Sequence, residues 1–202
     1  RRGAAGGTGV RIGLYGGTFD PIHLGHLRAA ETAREALGLD LVAFLPAAVP
    51  PHRDAPPRAA ADRLEMARLA TASHPRFAAW DAELRRPGPS YTVETVAALL
   101  SERPSDSFVL VVGADTWPEM TSWREPQRLL SLIEVAVVDR PGYDGPAPGA
   151  PFPGARGVTR VEGPSLPISA TTIRDLARQG RSVRYLVPDA VADYILERRL
   201  YL

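Results

Sequence analysis

Short apolar runs alternate with longer amphipathic stretches along most of the chain. Ile12–Tyr15, Leu41–Leu45, Phe77–Trp80, Phe108–Val112 and Val135–Val138 read as strands, with a further strand near 158–162. Helical spacing recurs between them, near 24–37 and 59–72, over Thr92–Leu100, and in helical turns within 116–131. Phe108–Val112 is apolar at every position, the pattern of a strand covered on both faces in a parallel sheet. This alternation predicts an α/β fold, a Rossmann-like doubly wound parallel sheet with helices on both faces. Ligands are then expected at the carboxyl ends of the strands.

Two stretches break the alternation. Pro46–Pro57 is a proline-rich loop, and Pro141–Gly157 is rich in Pro, Gly and Ala without periodicity, which predicts a mobile loop. Ser169–Arg178 then reads as a short helix. Thr172 and Asp175 have capping-box spacing there, and Ser169 and Thr171 compete as its N-cap. Pro188 suits the first turn of a final helix reaching about Arg199. Residues 1–10 read as a flexible leader. Residues 11–202 form one domain whose C-terminal portion, about 168–202, is helical; no internal repeat is present. The oligomeric state is left open, a homo-oligomer included.

The densest chemistry lies in Gly16-Gly17-Thr18-Phe19-Asp20-Pro21-Ile22-His23-Leu24-Gly25-His26, where a strand hands over to a helix. Unpaired N–H groups and the helix dipole suit such a place to phosphate. Gly16 and Gly17 allow close backbone approach, Thr18 brings a hydroxyl, and Phe19 an N–H and a packing ring. His23 and His26 are expected to aim from one helical face at one spot, with Gly25 between them letting a ligand near the backbone. Asp20 is read as a turn-former accepting local backbone bonds. The histidines could instead cap or pack the helix, or share a metal ion. No neighbouring carboxylate or cysteine supports the metal, so none is assigned.

Composition narrows the choices. All 24 basic residues are arginine and the formal net charge is +1. A P-loop, which needs a lysine, is therefore excluded, and the scattered arginines give no nucleic-acid stripe. The chain has no cysteine, which excludes disulfides and thiolate chemistry and fits a cytoplasmic location. No apolar stretch is long enough for a membrane span.

G-G-T-F-D-P-x-H-x-G-H resembles the signature of the nucleotidyltransferase superfamily with an H-x-G-H box. Ile168-Ser169-Ala170-Thr171-Thr172-Ile173-Arg174 resembles its second signature, I-S-x-T-x-x-R. Between them lie Pro50-Pro51-His52-Arg53, Ser90-Tyr91-Thr92, Gly113-Ala114-Asp115 and Trp123. In this order the set is similar to that of the bacterial nicotinate-nucleotide adenylyltransferases, over roughly residues 11 to 200. The resemblance implies adenylyl transfer from ATP, with Mg²⁺ carried on the triphosphate, to nicotinate mononucleotide. It makes His23, His26 and Arg174 catalytic. It assigns ATP to Gly16–Phe19, Gly25, Gly113, Asp115, Ile168 and Ser169, with the β- and γ-phosphates near Ser169, Arg174 and Thr171 and the ribose at Asp115. The acceptor falls to His52, Thr92 and Trp123, the last stacking on the pyridine ring. Trp117 matches no such contact and reads as core, and His74 as surface. Nicotinamide mononucleotide, phosphopantetheine or a cytidylyl transfer stays open on the same scaffold, as does a non-catalytic nucleotide sensor.

Overall fold

The computed structural model describes residues 9–50, 58–140 and 153–202. The expected strands form one six-stranded sheet: β1 (Arg11–Gly17), β2 (Leu41–Pro46), β3 (Phe77–Ala79), β4 (Ser107–Gly113), β5 (Glu134–Val138) and β6 (Val158–Val161). Their order is β3-β2-β1-β4-β5-β6 and every pairing is parallel. Connections run outward in opposite directions from the β1/β4 boundary. This topological switch leaves a crevice beyond the carboxyl ends of those two strands.

Strand residues alternate between two apolar layers, as the period of two requires. Tyr15, Val42, Phe44, Val109, Val111, Ala136 and Val138 face one side. They pack on α1 (Leu24–Leu37), α2 (Ala60–Thr71), α5 (Ala170–Arg178) and α6 (Asp189–Glu197). Ile12, Leu14, Ala43, Leu45, Leu110, Val112, Val135 and Val137 face the other side, under α3 (Thr92–Glu102) and α4 (Pro126–Leu132). A 3₁₀ helix, Trp117–Ser122, precedes α4, and Trp117 packs on this second layer as the sequence suggests. Gly38 ends α1 in the left-handed conformation (φ 61°), where a side chain would strain the backbone. Among the described residues no helix is long and apolar enough to cross a membrane.

Several local expectations change. The N-cap of α5 is Ser169, whose hydroxyl accepts the Thr172 N–H at 3.1 Å; Asp175 pairs with Arg178 instead of closing a capping box. Val10 is tied to the start of β4, its N–H donating to Asp106 and its carbonyl accepting from Ser107. His74 is half-buried, with its ring stacked on Phe77 at 3.9 Å and Nε2 3.5 Å from Glu31. Residues 1–8, most of the loop after Pro50, and 141–152 lie outside the described residues, as do His52 and Arg53.

Candidate active site

A cavity of about 390 Å³ opens at the β1/β4 switch point. Its floor is the end of β1 and the following loop, Tyr15 to Asp20, with the end of β4 up to Gly113 beside it. The start of α5 contributes Ala170, and the start of α3 contributes Tyr91 and Thr92. Trp123, Glu83, Asp115, Arg124 and Arg140 are among the other lining residues.

The two histidines are arranged differently from the expected pair on one helical face. His23 is the residue before α1, with extended backbone (φ −146°), and only His26 lies inside the helix. Their rings stack, with centroids 3.7 Å apart and planes inclined by 25°. The His23 backbone N–H donates to Nδ1 of His26 at 3.3 Å. That bond needs an unprotonated Nδ1, so the proton of neutral His26 sits on Nε2. His26 lines the cavity, and its tautomer therefore makes it a hydrogen-bond donor there. Burial lowers the pKa of His26 well below its ordinary value, helped by His23 and the Arg140 charge. Burial and Arg140 push His23 down to about 4. Both rings are neutral at pH 7. Nδ1 of His23 is buried and has no hydrogen-bond partner among the described residues.

Small residues make this packing feasible. A Cβ on Gly25 would stand 3.0 Å from Nδ1 of His23 and 3.4 Å from the Leu166 carbonyl. Gly25 does not line the cavity, and its lack of a side chain leaves room for the His23 ring. Gly16 does border the cavity, and a Cβ there would meet nothing within 4 Å. Phe19 adopts a left-handed conformation (φ 50°) and turns its buried ring edge-on to His26, with centroids 5.1 Å apart. A Cβ on Gly113 would collide with the Asp115 carboxylate, so that glycine frees space for Asp115 and Arg140.

Residues 14–176 match the model of the cytidylyltransferase-like family. The chain belongs to this family. A probable nicotinate-nucleotide adenylyltransferase of Thermus thermophilus is 47% identical over 192 residues, spanning 95% of this chain and all of the relative. Another from Geobacter metallireducens is 41% identical over 212 residues, spanning 95% of this chain and 98% of the relative. Identities of this size make the chain a member of the nicotinate-nucleotide adenylyltransferases within the family. Two structures of Plasmodium falciparum nicotinic acid mononucleotide adenylyltransferase share the fold. One, complexed with NaAD, has a TM-score of 0.79 at 17% identity; the other, complexed with APC, has 0.77 at 16%. Each covers 95% of this chain and 97% of its own.

Both family signatures reach the same end of the sheet. Arg174 donates through Nη1 to the Asp20 carbonyl at 2.8 Å and through Nη2 to Thr171 Oγ1 at 3.0 Å. One arm of its fork thus holds the β1–α1 loop. Ile168, Ser169, Arg174 and His23 do not line the cavity, whereas Gly16, Gly17, Thr18, Phe19, His26, Gly113, Asp115, Thr92 and Trp123 line it. The Ser169 hydroxyl is already engaged in capping α5.

Sequence reasoning passed over Arg140, Glu83, Arg63 and Tyr201 here, and misread the partners of Asp20. Arg140, just beyond β5, lies against Asp115 at 3.2 Å and supplies the positive charge that helps to lower the pKa of both histidines. Its position past a strand's carboxyl end was the available signal. Glu83 is buried at the cavity wall and steadied by Ser90 and Thr95, while burial pushes its carboxyl pKa up. Arg63 is fully buried in α2 and donates to the carbonyls of Thr18 (2.7 Å), Ala47 (2.5 Å), Ala48 (3.1 Å) and Arg58 (2.9 Å). It shares the buried stripe of Met66, Ala67 and Ala70, so a charge at core spacing could have marked it. Asp20, expected to bond locally, instead accepts from the Tyr201 hydroxyl at 2.6 Å and the Arg58 N–H at 3.3 Å. Tyr201 carried no signal of its own.

Proposed function

We propose that the protein joins ATP to nicotinate mononucleotide, releasing pyrophosphate and forming deamido-NAD. The observation that carries this reading is one cavity bordered both by a neutral imidazole donor above a glycine-rich strand end and by a flat indole. The mononucleotide phosphate is already anionic and needs no base. One of its oxygens attacks Pα in line, the bond from Pα to the bridging oxygen breaks, and pyrophosphate carries away the negative charge. Positioning and charge stabilisation are then the whole task.

Nε2–H of His26 is suited to an α-phosphate oxygen as charge builds there. His23, stacked behind it, fixes its orientation and tautomer. Arg174 and the start of α5 are suited to the β- and γ-phosphates, and Arg140 can exchange Asp115 for the polyanion. Asp115 at the end of β4 is suited to ribose hydroxyls. Mg²⁺ arrives with the triphosphate, largely hydrated; among the described residues no cluster of His, Asp or Glu could hold a metal.

On the acceptor side Trp123 offers its face to the pyridine ring. The N-cap of α3, Tyr91, makes no side-chain capping bond, and Tyr91 and Thr92 border the cavity. That helix start favours a carboxylate over an amide, whose NH₂ would oppose the donors. His52, beyond the cavity residue Pro50, is the remaining acceptor candidate. A cytoplasmic setting goes with this reading, supported by the cysteine-free composition.

Pyrophosphate release, measured with ATP and each mononucleotide in turn, tests the proposal. The acid should exceed the amide in kcat/KM by at least tenfold. Equal efficiency would overturn the acceptor assignment, and ATP binding with no pyrophosphate from either would overturn the enzyme.

A further inference from the structure

Asp20 is the meeting point of four segments far apart in sequence. Its side chain is only 4% exposed, and its carboxylate oxygens divide between two donors. Oδ1 accepts the Tyr201 hydroxyl at 2.6 Å across 181 residues, and Oδ2 accepts the Arg58 N–H at 3.3 Å. The backbone carbonyl of Asp20 accepts Nη1 of Arg174 at 2.8 Å. The Arg58 guanidinium sits over the Tyr201 ring, 5.3 Å from its centroid, and closes the set. Tyr201 is itself buried (5% exposed) and held in a left-handed conformation (φ 67°) by the turn after α6.

We infer that Tyr201 is a positioning residue for the triphosphate half of the site, latching the β1–α1 loop and Arg174 in register through Asp20. The phenol touches no cavity space itself. Asp20 borders the cavity, stands three residues past Gly17, and carries Arg174 on its carbonyl. A shift of Asp20 would therefore move the loop N–H groups and the guanidinium together. Transfer chemistry is sensitive to such shifts, since about 1 Å of misplacement can cost roughly a hundredfold. The acceptor half, around Trp123 and Thr92, makes no direct bond to this cluster among the described residues; a link runs through Arg63, which donates to the Arg58, Ala47 and Ala48 carbonyls.

A second phenol provides the control. Tyr194 on α6 donates to Asp62 on α2 at 2.8 Å, also joining the C-terminal helix to α2, but without contact to the loop. The inference rests on the adenylyl-transfer reading, and the test separates the two. Calorimetric titration of the full chain with a non-hydrolysable ATP analogue, and separately with nicotinate mononucleotide, is run on wild type, Tyr201→Phe and Tyr194→Phe, with urea midpoints measured in parallel. Tyr201→Phe should bind the ATP analogue about tenfold more weakly and the mononucleotide unchanged. Tyr194→Phe should bind both as wild type does, although its urea midpoint falls. If Tyr201→Phe is too unstable, Asp20→Asn, which keeps an acceptor for the phenol but loses the one for Arg58, should weaken analogue binding by less than tenfold and leave the mononucleotide alone. Analogue affinity within twofold of wild type in Tyr201→Phe and Asp20→Asn, or equal losses in the two phenol variants, would overturn the latch. Failure of wild type to bind the analogue would instead overturn the adenylyl-transfer reading.

Discussion

The two halves of the cavity are built by different means. The core of the triphosphate half is continuous in sequence: one stretch, from Gly16 to His26 by way of Phe19 and His23, supplies strand end, turn and helix start together, and Arg174, Asp115 and Arg140 reach it from elsewhere. Its rigidity comes from rings stacked in a dry interior, and its donor from a tautomer that one backbone N–H enforces. The acceptor half gathers Ala47 and Pro50, Glu83, Ser90 to Thr92, and Trp123 from separate connections. It is held by side chains that reach across: Ser90 Oγ accepts the Ala48 N–H at 2.8 Å, Thr95 donates to Glu83 at 3.0 Å, and Arg86 donates to Thr95. The imidazoles of the local half are preorganised by packing, with Asp20 and Arg63 tying their loop to distant segments, whereas the dispersed half depends on buried polar ties throughout. Damage to each should therefore look different.

The largest effect belongs to the local half. His26→Ala removes the cavity-facing donor while leaving the sheet and both apolar layers intact. Turnover should fall about 10³-fold, on the order of 4 kcal/mol of transition-state stabilisation, with the urea midpoint little changed. Stopped-time pyrophosphate assays measure it. Wild-type turnover in the variant would remove His26 from the reaction.

Next comes the tie shared by both halves. Arg63→Leu strips donors from the carbonyls of Thr18 on one side and of Ala47 and Ala48 on the other. Unpaired buried carbonyls should cost about 3 kcal/mol in urea unfolding. KM should rise for ATP and mononucleotide together. A rise for only one would show that the two halves are held independently.

Acid should also act on the local half. The folded pKa of His23 lies at about 4, below its ordinary 6.5, so the unfolded chain binds more protons between those values. Stability is thus full above pH 6.5 and falls as pH drops toward 4. Glu83, whose folded pKa is raised, works in the opposite sense as its carboxylate protonates. The difference between wild type and His23→Asn isolates the imidazole: on the order of 2 kcal/mol of the loss from pH 7 to pH 5 should vanish in the variant. Parallel pH profiles would contradict the burial of a neutral ring.

The same contrast explains what was legible in the sequence. All six strands and the order of helices follow from apolar runs and 3.6-residue spacing, because a doubly covered sheet imprints both periods on the chain. The motif half was equally plain, since its parts are neighbours. Yet the stacking of His23 on His26 and the packing around Gly25 were not, because the first depends on the left-handed turn at Phe19 and the second on Leu166 approaching from elsewhere. Asp20 was misjudged for the same reason, as its partner Tyr201 lies at the other end of the chain. Arg140 and Glu83 escaped because a single charged residue after a strand or in a loop has no pattern around it. Arg63 could have been found, as an arginine on a buried helical stripe has few structural excuses other than capturing carbonyls.

The smallest expected effect probes the dispersed half by itself. Trp123 borders the cavity with one face and packs on the second apolar layer with its rest, so its loss touches stacking and some core contact at once. Trp123→Ala should raise KM for nicotinate mononucleotide about tenfold, near 1.4 kcal/mol, the scale of one aromatic stack. KM for ATP should stay within twofold, because no atom of the imidazole stack or of the Arg174 cluster leans on the indole among the described residues. Trp123→Phe keeps a flat face and should recover most of the loss. Trp117→Phe separates packing from contact: Trp117 belongs to the same apolar layer but does not border the cavity, so it should lower stability slightly and leave both KM values alone. If Trp117→Phe raised KM for the mononucleotide as much as Trp123→Ala, the acceptor half would be shaped by the layer beneath it, and the indole face would lose its assigned role.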